Sequence, residues 1–206
     1  MNVAEEADVV IAGGGPAGMM AGLLFARAGV KALVLEKHAD FFRDFRGDTV
    51  HPSTMEILSE LGMLERFLRR PHDRLDRADI NWAGREMAIA DLSHLNTPAP
   101  FIAMMPQWDF LDFLRDEAAA FPGFALAMES PVAALDEADG RVRGVVLESG
   151  RAIAARKLVV MADGRDSLVR RQALLPVENL GAPIDVLWFR LAKQMRGNAL
   201  RGEVRG

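Results

Sequence analysis

The stretch Asp8-Val9-Val10-Ile11-Ala12-Gly13-Gly14-Gly15-Pro16-Ala17-Gly18 decides the fold. Asp8–Ala12 is a short apolar, β-branched run that ends in three glycines, the pattern of a buried strand entering a tight turn. Pro16–Ala28 then has helical composition and stops at Gly29, placed as a residue just past a helix end. Lys31–Leu35 repeats the buried-strand pattern. Strand, turn, helix and strand make a βαβ unit, whose two strands should run parallel.

Gly13-x-Gly15-x-x-Gly18 falls where such a unit binds phosphate. The first glycine permits the tight turn, the second lets backbone approach a pyrophosphate, and the third lets helix and strand pack closely. The phosphates then meet the free N–H groups and positive end of the helix. Glu36 closes the second strand, where a carboxylate can accept hydrogen bonds from both ribose hydroxyls. With 18 glycines in 206 residues, chance supplies the three-glycine pattern about one time in seven. Adding Gly22, Gly29 and Glu36 at their fingerprint positions lowers this to about one in ten thousand. No Lys-Ser/Thr follows Gly18, so the turn is not a P-loop, and protein-kinase motifs are absent. An acid at position 36 fits an unphosphorylated ribose, hence NAD or FAD rather than NADP, and does not separate those two.

Outward from this unit, 39–50 reads as a loop. His51–Leu61 reads as a helix closed by Gly62, and Met63–Arg70 as a second short helix. Arg77–Trp82 and Arg85–Ala90 form a hairpin about Ala83-Gly84, Phe101–Met105 a strand, and Gln107–Ala120 a helix with apolar residues at 3–4 spacing. Pro131–Leu135, Val142–Glu148 and Arg151–Ala155 read as a three-strand meander, separated by the turn dipeptides Asp139-Gly140 and Ser149-Gly150. Lys157–Met161 reads as a separate buried strand ending at Ala162-Asp163-Gly164, with a helix near Asp166–Gln172 and a strand at Asp185–Ala192. From Lys193 the pattern collapses into an irregular tail.

Composition excludes several functions. The chain has no cysteine, which removes disulfide scaffolds, Cys-ligated zinc, iron–sulfur clusters and cysteine nucleophiles. A formal net charge of −4 gives no nucleic-acid footprint. Glu5, Glu6 and Asp8 stand where a signal peptide would carry basic residues. Gly18–Ala26 is far shorter than the roughly 20 residues of a membrane span. The expectation is a cytoplasmic protein with no nucleic-acid or membrane partner. His38 and His51 lack metal-ligand spacing, so no metal is expected.

The Gly13–Glu36 segment, the run Arg46-Gly47-Asp48-Thr49-Val50-His51-Pro52-Ser53-Thr54, Gln107 at a helix start, and Met161-Ala162-Asp163-Gly164-Arg165-Asp166-Ser167-Leu168-Val169-Arg170 occur in that order. In this the chain resembles the N-terminal part of the FAD-dependent aromatic hydroxylases, the para-hydroxybenzoate hydroxylase-like flavoprotein monooxygenases, over about 8–191. The resemblance implies an α/β fold: an FAD-binding Rossmann-like parallel sheet with a crossover β-meander and the incomplete start of a second, substrate-side sheet. It implies an FAD-binding domain over 1–180, discontinuous, with substrate-side strands around 77–105. A truncated start of the substrate-binding sheet and the irregular tail would occupy 181–206.

By the same resemblance FAD is the cofactor, and NADH or NADPH a transient reductant. Oxygen, activated as a flavin hydroperoxide, would be delivered to an aromatic or polyketide-like small molecule. Gly13, Gly15, Pro16, Ala17 and Gly18 would frame the pyrophosphate, and Glu36 would hold the adenosine ribose. Arg46 would lie near the pyrophosphate or flavin, Gln107 near the ribityl or phosphate region, Val132 beside adenine through its backbone, and Asp163 close to FAD. Lys37 joins this set by position, although, like Arg43, Asp44 and Asp48, it reads more as a surface charge than as a ligand. No catalytic residue is identified.

The family's second Gly-Asp motif, expected in a C-terminal half, does not occur after Asp163. The expectation is therefore an N-terminal fragment, working as a homodimer or with a chain that supplies the missing half. The alternatives left open are a non-catalytic FAD-binding fragment, a flavin-dependent reductase or dehydrogenase of the same superfamily, and a plain NAD-dependent dehydrogenase.

Overall fold

A computed structural model describes residues 5–42, 48–165 and 167–171, the strand 199–204, and single positions at 178, 180, 181 and 187. Along the chain lie β1 (Glu6–Ala12), α1 (Pro16–Arg27), β2 (Ala32–Leu35), β3 (Thr49–Val50), α2 (Pro52–Glu60), α3 (Leu64–Leu68), β4 (Asp73–Leu75), β5 (Arg77–Trp82), β6 (Arg85–Asp91) and β7 (Ile102–Met104). They are followed by α4 (Gln107–Ala118), β8 (Phe124–Ala127), β9 (Val132–Ala138), β10 (Arg141–Leu147), β11 (Ala152–Met161), α5 (Leu168–Arg171) and β12 (Ala199–Val204). The chain divides into two compact units, Met1–Phe42 with Phe110–Ile184, and Arg43–Asp109 with Asp185–Gly206.

The first unit is built on a six-stranded sheet of order β8-β2-β1-β11-β10-β9. Its first four strands run parallel, and β10 and β9 continue it antiparallel. This is the expected Rossmann-like sheet with its crossover meander. Val10, Ile11, Val34 and Ile153 are fully buried. Near-continuous apolar strands are what a sheet covered on both faces demands. Helix α1 crosses between β1 and β2 and buries Gly18, Met19, Gly22, Leu23 and Ala26. A Cβ at Gly22 would stand 2.6 Å from Val34 Cγ2 and 3.0 Å from Phe124 Cε2. The glycine there sets how closely helix meets sheet. Gly29, at φ +77°, ends the helix, and the Val30 N–H donates to Phe25 O at 3.0 Å. That is the left-handed closure its position after Ala28 anticipates.

Several strand readings need correction, among them the loop read over 39–50, whose last two residues form β3 because β7 offers them a partner. The meander's third strand and the separate Lys157–Met161 strand are one ten-residue strand, β11. It pairs antiparallel with β10 near Ala152–Ala154 and parallel with β1 from Ala154 to Met161. Arg156 and Lys157 look like a break in the apolar pattern. In the fold they sit at a register shift opposite Ala7/Val9 and reach across to β1. Arg156 lies 3.0 Å from Glu6 and 3.0 Å from Asp8, and Lys157 lies 3.7 Å from Asp8. The strand β8 has no counterpart in the sequence reading, because four residues after Pro122-Gly123 carry too little pattern. Its parallel ladder with β2, Ala32↔Phe124 through Leu35↔Ala127, makes it the sheet edge. The tail expected to be irregular from Lys193 instead contains β12. The expected strand at Asp185–Ala192 lies outside the described residues except for Leu187.

Asp8 ties three strands together. The Lys31 N–H, at 3.3 Å, is the main influence holding its carboxyl below the ordinary value of 3.8; desolvation opposes it, and the Arg156 hydrogen bond and the Lys157 and Arg156 charges add to the lowering. A lowered folded-state value contributes stability above pH 3.8 that is lost as pH falls through the lowered value. Asp8→Asn should therefore lower the midpoint of thermal unfolding at neutral pH. The difference from the parent should shrink as melts are repeated in acid below pH 3.8. A gap that stays constant down that series would show that Asp8 contributes by shape alone.

The second unit contains two three-stranded sheets, β12-β5-β6 and β3-β7-β4. The β5–β6 hairpin turns at Ala83 and Gly84, both at positive φ of 49° and 82°. This pair of left-handed residues suits the twist of a two-residue hairpin. Strand β12 adds to β5 in parallel, Ala199↔Arg77 through Val204↔Trp82. Met55, Leu58, Met63 and Phe67 of the α2–α3 region are almost wholly buried. His72 stacks between Phe67 and Phe101, with centroids 6.4 and 6.1 Å apart.

Candidate functional site: the glycine turn and its carboxylates

The carboxyl ends of β1, β2 and β11 meet at one place. The Gly13 N–H donates to Leu35 O at 2.8 Å, and the Ala162 N–H donates to Ala12 O at 2.8 Å. These bonds carry the parallel ladder one step past the strands, and bring Gly13, Glu36 and Asp163 to the same end of the sheet. Ligands of open α/β sheets bind at this end, where connections diverge.

Each glycine of the turn has its own reason. Gly13, at φ +106°, occupies backbone space an L-residue rarely enters, and a Cβ there would stand 2.3 Å from Ala162 O. A Cβ at Gly18 would stand 1.8 Å from Gly13 O. Both positions are closed by protein. Gly15 differs: a Cβ there meets nothing within 4 Å among the described residues. Its φ of −72° is open to any residue. Gly15 is the N-cap of α1, gives no side-chain cap, and is followed by Pro16 with no acid in the first turn. The first-turn N–H groups are therefore left for an anion. Pro16 and Ala17 are exposed beside them.

Gly14 is a functional position the three-glycine pattern passes over. Its N–H donates to Glu36 Oε2 at 2.8 Å, and a Cβ there would stand 2.8 Å from Glu36 Cβ. Glu36 is 6% exposed. Its other oxygen, Oε1, accepts the His38 N–H at 3.0 Å and contacts His38 Nδ1. The strand-end acid is thus held directly beneath the turn. Its neighbour Lys37 is exposed. His38, set aside above for lack of metal spacing, is part of this carboxylate's environment. The signal was its position two residues past a strand-ending acid.

Asp163 follows β11. Its Oδ2 accepts the Leu168 N–H at 2.7 Å, opening the short α5. Its Oδ1 is buried without a hydrogen-bond partner among the described residues. A buried acceptor left unsatisfied is costly, and asks for a donor from a ligand. Asp163 N would lie 2.9 Å from a Cβ at Gly13, so this carboxylate borders the turn. Val132 opens β9 opposite Leu147 and packs on the sheet core. Two residues before it, the Ser130 N–H donates to Glu36 O at 2.8 Å, which sets Val132 close to the acid. Gly13, Gly15, Pro16, Ala17, Gly18, Glu36, Val132 and Asp163 therefore share one end of the first unit. Gln107 opens α4 in the second unit. Arg46 lies outside the described residues.

An anion cradle at a helix N-terminus, a buried acid for ribose hydroxyls and an unsatisfied acceptor fit an adenine dinucleotide. The fold and the turn together define a dinucleotide-binding protein. Comparison with known proteins makes this specific: the chain belongs to the FAD-binding-domain family, whose model matches residues 6–198. The cofactor of that family is FAD. The chain is 34% identical over 187 residues to 6-methylpretetramide 4-monooxygenase of Streptomyces rimosus, covering 89% of this chain and 45% of that one. It is 31% identical to rifampicin monooxygenase of Streptomyces venezuelae, covering 85% of this chain and 35% of that protein. The fold matches the crystal structure of pqsL, a probable FAD-dependent monooxygenase from Pseudomonas aeruginosa. That match has a TM-score of 0.73 and 24% identity, and covers 86% of this chain and 48% of that chain. The resemblance to the N-terminal part of the FAD-dependent aromatic hydroxylases holds. The chain spans less than half the length of these relatives.

Among the described residues, no group of three or more His, Asp or Glu is placed to hold a metal. No described helix is long and apolar enough to cross a membrane.

Proposed function

We propose that this chain forms the FAD-binding part of a monooxygenase that hydroxylates an aromatic or polyketide-like small molecule. The observation that carries the cofactor half of this reading is the open Gly15 cradle, with Glu36 buried beneath Gly14 on the same turn. The monooxygenase half is supported by the relatives, which are named as monooxygenases of 6-methylpretetramide and of rifampicin. Bound FAD would supply two-electron uptake from NADH or NADPH and the activation of O2.

The chain's own residues bind and orient. Gly13 and Gly18 hold the backbone of the turn, and Gly15 gives the pyrophosphate access to the first-turn N–H groups of α1. Glu36 accepts the adenosine ribose hydroxyls, and the free Asp163 oxygen accepts a further hydroxyl of the cofactor. The backbone at Val132 lines the adenine side. Arg46, Gln107 and Lys37 are assigned by resemblance and position alone. Trp82, Met87 and Ile89 stand 58, 46 and 61% exposed on the β5–β6 hairpin. Apolar residues gathered there suit burial by further chain, from a C-terminal half or a second copy. A cytoplasmic location accompanies this reading.

The test is oxygen uptake by the FAD-loaded protein with NADH or NADPH, with and without a polycyclic aromatic substrate. It is run on the 206-residue chain and on the chain extended through the codons that follow it. The expected result is substrate-stimulated oxygen uptake by the extended protein, with a product heavier by one oxygen atom. Reduction of a substrate double bond without oxygen uptake would make it a reductase. Flavin that binds in both forms and accepts no electrons would make it a non-catalytic module.

A further inference from the structure

We propose that His38 is a positioning residue for Glu36, and that it sets the affinity and selectivity of the site for an adenosine ribose. This rests on the FAD-binding reading above. A glutamate side chain alone has three rotatable bonds, and a carboxylate must be aimed before it can accept two adjacent hydroxyls. Here the aim is fixed from both sides. Oε2 takes the Gly14 N–H at 2.8 Å, while Oε1 takes the His38 N–H at 3.0 Å and the imidazole Nδ1. An ionised carboxylate only accepts, so Nδ1 carries the proton, and in the neutral ring Nε2 becomes the acceptor. Anchored through both oxygens, the carboxylate plane cannot turn. A carboxylate so held would present Oε2, on the side of the glycine turn, to a ribose hydroxyl.

The ledge carrying the pair is fixed as well. The Glu36 N–H donates to Ala127 O at 2.9 Å, the Ser130 N–H to Glu36 O at 2.8 Å, and the Glu129 N–H to His38 O at 2.9 Å. Glu129 holds φ +52°, a left-handed conformation uncommon for a glutamate. Such conformations persist where surrounding structure over-determines them, and they cluster at binding sites. The His38 side chain is 44% exposed against 8% for Glu36. The ring therefore shields one edge of the acid and keeps its own far edge in solvent.

The experiment measures dissociation constants for FAD, ADP and 2′-deoxy-ADP with the parent chain, His38→Ala and His38→Asn. Asparagine places its side-chain N–H close to where Nδ1 stands. His38→Ala is expected to weaken FAD and ADP about ten-fold and to lose the parent's preference for ADP over 2′-deoxy-ADP. His38→Asn is expected to restore both. Melting of the ligand-free variants reads structural damage separately. Parent binding with His38→Ala unchanged, or His38→Asn as weak as His38→Ala, would overturn the inference alone. A parent that binds neither FAD nor ADP would overturn the FAD reading, and this inference with it.

Discussion

Gly18→Ala is expected to cost the first unit about 3 kcal/mol or more of stability. The added Cβ would stand 1.8 Å from Gly13 O, 3.0 Å from Gly13 C and 3.4 Å from Ala162 Cβ. A flexible side chain could swing away from such a contact, but the nearest atoms here are backbone. Gly13 cannot retreat, because its N–H is bonded to Leu35 O at 2.8 Å and Ala162 O blocks its other side. Relief requires α1 to lift from the sheet, which uncovers Met19 and Leu23, both fully buried. The measurable consequence is a fall of about 10 °C in the thermal midpoint by circular dichroism, present with or without ligand. An unchanged midpoint would mean that the close contact between helix and turn is not a constraint on this fold.

Gly15→Val should do the opposite. Its backbone angles suit any residue, and a Cβ there meets no described atom within 4 Å. Stability without ligand should fall by no more than about 1 kcal/mol, the cost of a poorer N-cap. The valine methyls would instead fill the space in which a pyrophosphate approaches the N–H groups of α1. FAD affinity should fall about a hundred-fold, a loss of about 2.7 kcal/mol. Fluorescence titration with FAD, set beside the ligand-free melt, separates the two effects. Two glycines three residues apart thus serve different ends, one the packing of the chain and the other access for a ligand. A Gly15→Val chain that binds FAD as tightly as the parent would place the phosphates elsewhere.

The βαβ unit was legible because its signals are local. A β-branched run, a glycine turn, a Pro-led helix and a closing Gly29 lie within about thirty residues, and each element's pattern agrees with the next. The hairpin at Ala83-Gly84 was legible for the same reason. What escaped was set by partners far away in the chain. Arg156 and Lys157 look like a break until Glu6 and Asp8, some 150 residues earlier, come alongside. The strand β8 exists because β2 offers an edge, and β12 because β5 does.

The site divides in the same way. Gly13, Gly15, Gly18 and Glu36 belong to one contiguous pattern and meet as it predicts. Asp163 comes from far along the chain, and its place beside Gly13 follows once β11 is known to pair with β1. Gly14 and His38 were passed over as functional positions, since neither is named by a spacing rule and the nearness of His38 to a strand-ending acid is a weak signal. Their roles arise from where the Glu36 carboxylate turns, a matter of side-chain geometry and not of sequence period.

The most direct test of the central claim is the visible absorption spectrum of the purified chain, taken after incubation with FAD and removal of free flavin, beside a melt with and without ADP. The expected result is a retained flavin band shifted from that of free FAD, with ADP raising the thermal midpoint. A colourless chain that ADP does not stabilise would contradict the assignment of the Gly13–Gly18 turn and Glu36 as an FAD site.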